Sequence, residues 1–174
     1  ENEIYFDTKL NLVNTDFKIE NINYKKKDKV NTSLEIKGEL KDNKILNILN
    51  FILNEENNKI EITNLSFNKK NQIIEIEKAN FDYFDTQNKK NNFNVKKTNY
   101  NDYKISGISY NANSLISDLL KSDDKKENNL FEKNVNINLN FGEVYIDETY
   151  LVKDLKGNFF MENNKILDAK ISAF

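Results

Sequence analysis

Few residues in this 174-residue chain are equipped for chemistry. It has no histidine and no cysteine, and all 26 of its basic residues are lysine. Without imidazole or thiolate there is no disulfide framework, no zinc or haem site of the usual kind and no Ser-His or Cys-His machinery. Carboxylates remain, and Glu55-Glu56 and Asp123-Asp124 are adjacent pairs. A two-carboxylate glycosidase needs only an acid and a base that can lie far apart in sequence. With no tryptophan to build an aromatic cleft, the acids read as solvated surface: Glu55-Glu56 at a helix end, Asp123-Asp124 in a mobile loop. Calcium-loop spacing is missing, and four scattered glycines make no phosphate-binding loop. The reading is a non-catalytic protein that calls for no metal and no cofactor.

Other short signals are weak. Asn31-Thr32-Ser33 and Asn64-Leu65-Ser66 match a glycosylation acceptor, but about a fifth of the chain is asparagine and such matches arise by chance. The run from Lys25 to Lys29 could touch anionic headgroups, yet a charged hairpin tip is the ordinary explanation. A net charge of −2 without arginine argues against nucleic acid, since phosphate binding needs a basic surface. Lys, Ile and Asn share A- and T-rich codons, so base composition accounts for their abundance. The apolar residues keep strict order among the asparagines, which a disordered tract would not do.

That order is mainly period two. Ile4, Phe6, Leu10 and Leu12 share a parity, as do Val30, Thr32, Leu34, Ile36 and Leu40. Ile74 and Ile76 follow, then Ala79, Phe81 and Tyr83, then Val135, Ile137, Leu139 and Phe141, and last Leu167, Ala169, Ile171 and Ala173. Side chains alternate faces along a strand, so these runs describe strands with one apolar face. Polar turns are expected at Lys25–Lys29, Asn68–Asn71, Gln87–Asn92 and Glu162–Lys165. Two stretches instead show helical spacing, near 43–54 (Ile45, Leu46, Ile48, Leu49, Ile52, Leu53) and near 112–121 (Leu115, Ile116, Leu119, Leu120). They predict two short amphipathic helices lying on a sheet. Residues 122–130 predict a mobile loop. Residues 1–20 lack the basic start and apolar block of a signal peptide, and Ile45–Leu53 is far shorter than the ~20 residues of a membrane span.

A weak repeat runs through the chain. Phe17-x-Ile19-x-Asn21-Ile22-x-Tyr24 is echoed by Ile60-x-Ile62-x-Asn64-Leu65-x-Phe67, by Tyr103-x-Ile105-x-Gly107-Ile108-x-Tyr110 and by Tyr150-x-Val152-x-Asp154-Leu155. In each copy the apolar parity slips by one at Asn, Asp or Gly. A one-residue bulge would absorb the slip, and these residue types tolerate the backbone angles involved. The fold expected is mostly β with two short α-helices: an extended, curved antiparallel sheet of repeated hairpins forming an open groove, with a closed β-sandwich as the alternative. Residues 1–174 read as a single β-rich segment. Apolar-faced strands at both ends predict a fragment of a longer chain whose continuation flanks the sheet.

The stretch Ile105-Ser-Gly107-Ile-Ser-Tyr-Asn111, the segment Leu115–Leu120, Val135–Phe141, Val144–Ile146, Leu151–Phe159 and Ile166–Ile171 follow one another in an order that resembles the AsmA-like group of bacterial envelope proteins. The likeness is to its YhdP-like branch and AsmA-like C-terminal region. Ile36-Lys-Gly38-Glu-Leu40 with Ile45–Leu53 resembles the same unit one copy earlier. The likeness covers most of residues 30–174 and rests on pattern rather than an invariant motif. It implies a periplasmic β-groove whose parent is anchored in the inner membrane and is implicated in moving phospholipid between the inner and outer membranes. Acyl chains need a continuous apolar trough, at roughly 0.8 kcal/mol per methylene transferred from water. The residues expected to line it are Ile60, Ile62, Leu65, Phe67, Ile74, Ile76, Val135, Ile137, Leu139 and Phe141. The alternative is a β-sandwich adhesion or protein-interaction module with no lipid ligand.

Overall fold

The computed structural model describes residues 3–42, 44–114, 116, 131–162 and 165–174. Ten strands form one sheet in the spatial order β1 (Glu3–Asn11), β4 (Thr32–Lys41), β5 (Ile45–Glu55), β6 (Asn58–Phe67), β7 (Ile73–Phe84), β8 (Lys90–Lys97), β9 (Asp102–Asn111), β10 (Val135–Tyr145), β11 (Leu151–Glu162) and β12 (Lys165–Ser172). The sheet is not closed: β1 and β12 are its edges. Every neighbouring pair is antiparallel except β9 with β10, which run parallel. The only other sheet among the described residues is the small hairpin β2 (Lys18–Ile19) and β3 (Tyr24–Lys25), joined by a 3-10 turn at Glu20–Ile22. The sandwich alternative therefore fails, because among the described residues no second layer of comparable size faces the large sheet.

The helix expected near 43–54 is corrected: this stretch is β5, paired along its length with β4 and β6. Its Ile and Leu residues mimic helical spacing because apolar side chains occupy both faces and one residue, Leu49, is extra. Asn50 pairs with Lys37 and Ile48 with Gly38, which leaves Leu49 as a bulge with 44% exposure. The β-branched Ile45, Ile48 and Ile52 favour the extended backbone, and two flanking strands supply the hydrogen bonds. Among the described residues only Asn113, Ser114 and Ile116 are α-helical, at the start of the second stretch expected to be a helix. Of the stretch near 112–121, Ile116 N–H donates to the Ala112 carbonyl at 2.8 Å; most of its remainder, like the loop 122–130, lies outside the described residues.

The parity slips of the repeat become bulges in part. Asn64 and Asp154 stand in the left-handed region, at φ 50° and 48°, and the register steps over both. Across from Asp154 the step falls at Gly142 and Ile108, and Ile108 is 69% exposed. In the third copy, then, the extra residue is Ile108 and not Gly107. The first copy departs altogether. Phe17 to Tyr24 forms the small hairpin, where Asn23, at φ 51°, takes the left-handed place expected of Asn21.

Several lysines of the sheet are matched by acids. Lys59 bonds Glu61, Lys90 bonds Asp82 and Lys97 bonds Glu75, at 2.5 to 2.8 Å. Lys78, Lys96 and Lys104 stand directly opposite one another on β7, β8 and β9, all exposed. Like charges in facing positions are destabilising. Lys96→Glu replaces two repulsive contacts with two attractive ones and is expected to stabilise the fold by about 0.5–1 kcal/mol. Thermal unfolding should show a midpoint higher by about 1–4 °C; an unchanged or lower midpoint would contradict it.

Candidate functional site

Two continuous rows of facing residues run across the opposite face. One joins Leu10, Leu34, Leu53, Ile60, Phe81, Phe93, Gly107, Phe141 and Leu155 over nine strands. The second joins Ile36, Phe51, Ile62, Ala79, Val95, Ile105, Leu139, Gly157 and Ile171. Such rows follow from the period-two alternation once the register is set. Leu53, Ile60 and Ala79 are fully buried at the centre, and rings stack outward from there. Phe81 and Phe93 lie 4.6 Å apart between centroids, and Phe93 reaches Phe141 at 6.0 Å across the gap that Gly107 leaves.

Part of this face is covered by the chain itself. The parallel pairing of β9 with β10 obliges the chain to return the length of a strand, ~30 Å, between Asn111 and Val135. Ile116 and Phe131, on that connection, pack against the apolar face. Phe131 bridges Ile73, and its ring lies 6.0 Å from that of Tyr103. At the other end sits the segment carrying Leu12, Ile19, Ile22 and Tyr24. Either side of the covered centre the face is only half-buried, at Ile36, Phe51 and Ile62 and again at Ile137, Leu139 and Leu155. On β12 it is open, with Ile166 at 46% and Ile171 at 59% exposure.

Two buried polar clusters hold the end segment and the turns in place. The Glu55 carboxylate accepts from Tyr24 Oη (2.8 Å), the Lys27 backbone N–H (2.6 Å) and Asn58 Nδ2 (2.7 Å). Asp85 accepts from the Gln87 and Lys89 backbone N–H groups and from the Asn91 and Asn111 side-chain amides. Tyr83 Oη donates to the Ile22 carbonyl at 2.6 Å. Burial pushes the Tyr24 hydroxyl far up, assisted by Glu55; burial also raises Tyr83, assisted by Tyr110 and Asp85. Tyr110 is raised by burial as well. The folded chain therefore holds protons that the unfolded chain releases near pH 10. Stability from these phenols is fully present below about pH 10 and is lost as pH rises toward the folded values. Denaturation midpoints should be level from about pH 8 and fall above about pH 10, and a midpoint rising through that range would contradict the assignment.

Nine of the ten residues expected to line a trough belong to this apolar cluster. Ile60, Leu65, Ile76, Val135 and Phe141 are buried; Ile62, Phe67, Ile137 and Leu139 are half-buried. Ile74 is the correction. Phe67 pairs with Ile73 and Ser66 with Glu75, so Ile74 is a bulged residue and Ile73 takes the core position. Leu53, Phe93 and Tyr103 are core residues that the lining set omits. Phe93 and Val95 do alternate with Asn92, Asn94 and Lys96, but β8 begins inside the stretch expected to be the turn Gln87–Asn92.

The other candidates resolve as structure. Glu55 ends a strand, not a helix, and its carboxylate accepts three hydrogen bonds. Asp123-Asp124 lies outside the described residues. Lys26, expected in a solvated turn, is 4% exposed and donates to the Val13 and Lys27 carbonyls. Thr32 is buried and donates to the Val30 carbonyl. Two shallow depressions, of about 180 Å³ by Lys59, Glu61 and Asp82 and about 270 Å³ by Tyr5, Gly38 and Leu49, do not follow the apolar rows. No helix among the described residues is long and apolar enough to cross a membrane. Comparison with known proteins returns no match: no family model, no curated protein and no solved structure is similar to the chain.

Proposed function

We propose that the chain is a segment of an AsmA-like, YhdP-like periplasmic protein that holds phospholipid acyl chains against the apolar face of its sheet and carries out no catalysis. The observation that supports this is a single unclosed sheet whose rows of apolar side chains run across nine strands and stay half-exposed on both flanks. A protein that needed only a core would gain by covering those flanks, since each exposed methylene forgoes roughly 0.8 kcal/mol of burial. In this reading the sheet curves into a trough in a parent anchored in the inner membrane, with more of the same chain beside β1 and β12. Ile137, Leu139 and Ile62 would meet the acyl chains, while Ile60 and Phe141 hold the floor.

Native mass spectrometry and lipid extraction after mild purification test the proposal. Phospholipid should accompany the wild-type protein. Ile137→Asp, at a half-exposed position, should fold and lose the lipid. Phe141→Asp, at 4% exposure, should fail to fold, because an unpaired buried charge is severely costly. Wild-type protein free of lipid, or Ile137→Asp retaining it in full, would overturn the reading. The exposed apolar side chains of β12 favour a second reading, a protein-interaction module. It predicts a lipid-free chain in the same experiment.

A further inference from the structure

The edge strand β12 is exposed at every residue, and among the described residues nothing pairs with its outer side. Phe174 and Lys153 exchange both of their backbone hydrogen bonds, and β12 runs in even register against β11 from Asp168 to Ser172. Ser172, Lys170 and Asp168 therefore turn their N–H and C=O groups toward β11, while Ile171 and Ala169 turn theirs to the open edge. Such an edge is a template for another strand, and a lysine on it normally discourages pairing. Which strand can meet it is set by Asp168 and Lys170, two positions apart and on the same face. Neither forms an ion pair among the described residues. At the opposite edge, the Asp7 and Lys9 charges of β1 are already met by Lys37 and Glu35 of β4.

We propose that two copies of the chain join through β12, antiparallel and in register about Ala169, around a twofold axis perpendicular to the sheet. Such an axis keeps the apolar faces of both copies on one side, so the sheet continues across the joint. Registers centred on Asp168 or Lys170 would set like charges opposite each other, and one centred on Ile171 would pair neither charge. Centred on Ala169, Asp168 faces Lys170 of the second copy and Lys170 faces its Asp168. Leu167 and Ile171 meet in the same reciprocal way, so two opposite-charge pairs and two apolar pairs close the joint. The second copy takes the place beside β12 that the function proposed above gives to further chain. The joint does not depend on lipid lying against the apolar face.

Sedimentation equilibrium over a dilution series tests it, and should show monomer in equilibrium with a dimer of twice 20.5 kDa. D168K and K170D each put two like-charge pairs into the joint and should each weaken the dimer at least about tenfold. The swap D168K/K170D restores both opposite-charge pairs and should return the wild-type dissociation constant. All three should keep the wild-type circular dichroism, since both side chains are exposed. Ala169→Cys, in a chain without cysteine, should give a disulfide-linked dimer on mild oxidation, because facing Cα atoms in this register lie about 5.5 Å apart. Ser172→Cys, away from the axis, should not. A monomeric wild type, single variants that associate as wild type, or a swap as weak as the single variants would overturn the proposal. So would open-ended growth, which head-to-tail pairing of β12 with β1 would produce. A dimer free of phospholipid would sink the function proposed above and leave this joint standing; a monomer carrying phospholipid would do the reverse.

Discussion

Gly107→Ala is expected to destabilise the protein by at least about 3 kcal/mol and in practice to prevent folding at physiological temperature. A Cβ at position 107 would lie 2.2 Å from the Asn92 carbonyl oxygen and 2.5 and 2.6 Å from Cβ and Cα of Phe93. None of these is the far end of a flexible side chain. Relief would require β8 and β9 to separate where Phe93 and Gly107 face each other. That would break the ladder of rings from Phe81 to Phe141. The φ of Gly107 is not positive, so the glycine is required for space and not for backbone freedom. Two comparisons make the test specific. Gly142→Ala, whose nearest contact would be 3.0 Å, should cost less than about 1 kcal/mol. Phe93→Ala should not rescue Gly107→Ala, because alanine keeps the offending Cα and Cβ and Asn92 is untouched. Urea denaturation of the three variants would show it, and a Gly107→Ala midpoint near that of wild type would contradict the packing described.

Glu55→Ala is expected to cost about 3 kcal/mol, the largest effect of any single polar side chain at the end segment. Removal leaves Tyr24 Oη, the Lys27 N–H and Asn58 Nδ2 without their acceptor in a site where Glu55 and Tyr24 are each 1% exposed. Glu55→Gln keeps the shape but offers one acceptor oxygen in place of two, and should cost about half as much. A readout beyond global stability separates a latch from a generic core residue. Amide exchange should speed up selectively in residues 12–31, which the carboxylate ties to β5, while β9 to β11 stay protected. Uniform acceleration across the sheet would contradict a local role.

Both predictions concern residues whose neighbours in space are remote in sequence, and this marks the limit of what patterning reveals. Alternation of Val135, Ile137, Leu139 and Phe141 suffices to predict β10, and Ile60 and Ile62 to predict the start of β6, because the two-residue period is a property of the extended backbone itself. Asn64 and Asp154 announce their bulges through residue type and the parity slip together. The same logic fails at Ile45–Leu53. There the period is broken by the bulge at Leu49 and both faces are apolar, so spacing alone cannot separate strand from helix; pairing with β4 and β6 decides it. Ile74 fails for a related reason, since an unsignalled bulge hands its place to Ile73.

The amino-acid order by itself determined that the protein is built of half-apolar strands and has no cysteine or histidine, hence no thiol or imidazole chemistry. These properties depend only on residue types and on short-range alternation. Tertiary structure alone decided that the strands form one unclosed sheet, that β9 and β10 run parallel, and that Lys78, Lys96 and Lys104 fall into line. Register and strand order are set by the sum of many cross-strand contacts, each too small and too distant along the chain to be read from local sequence.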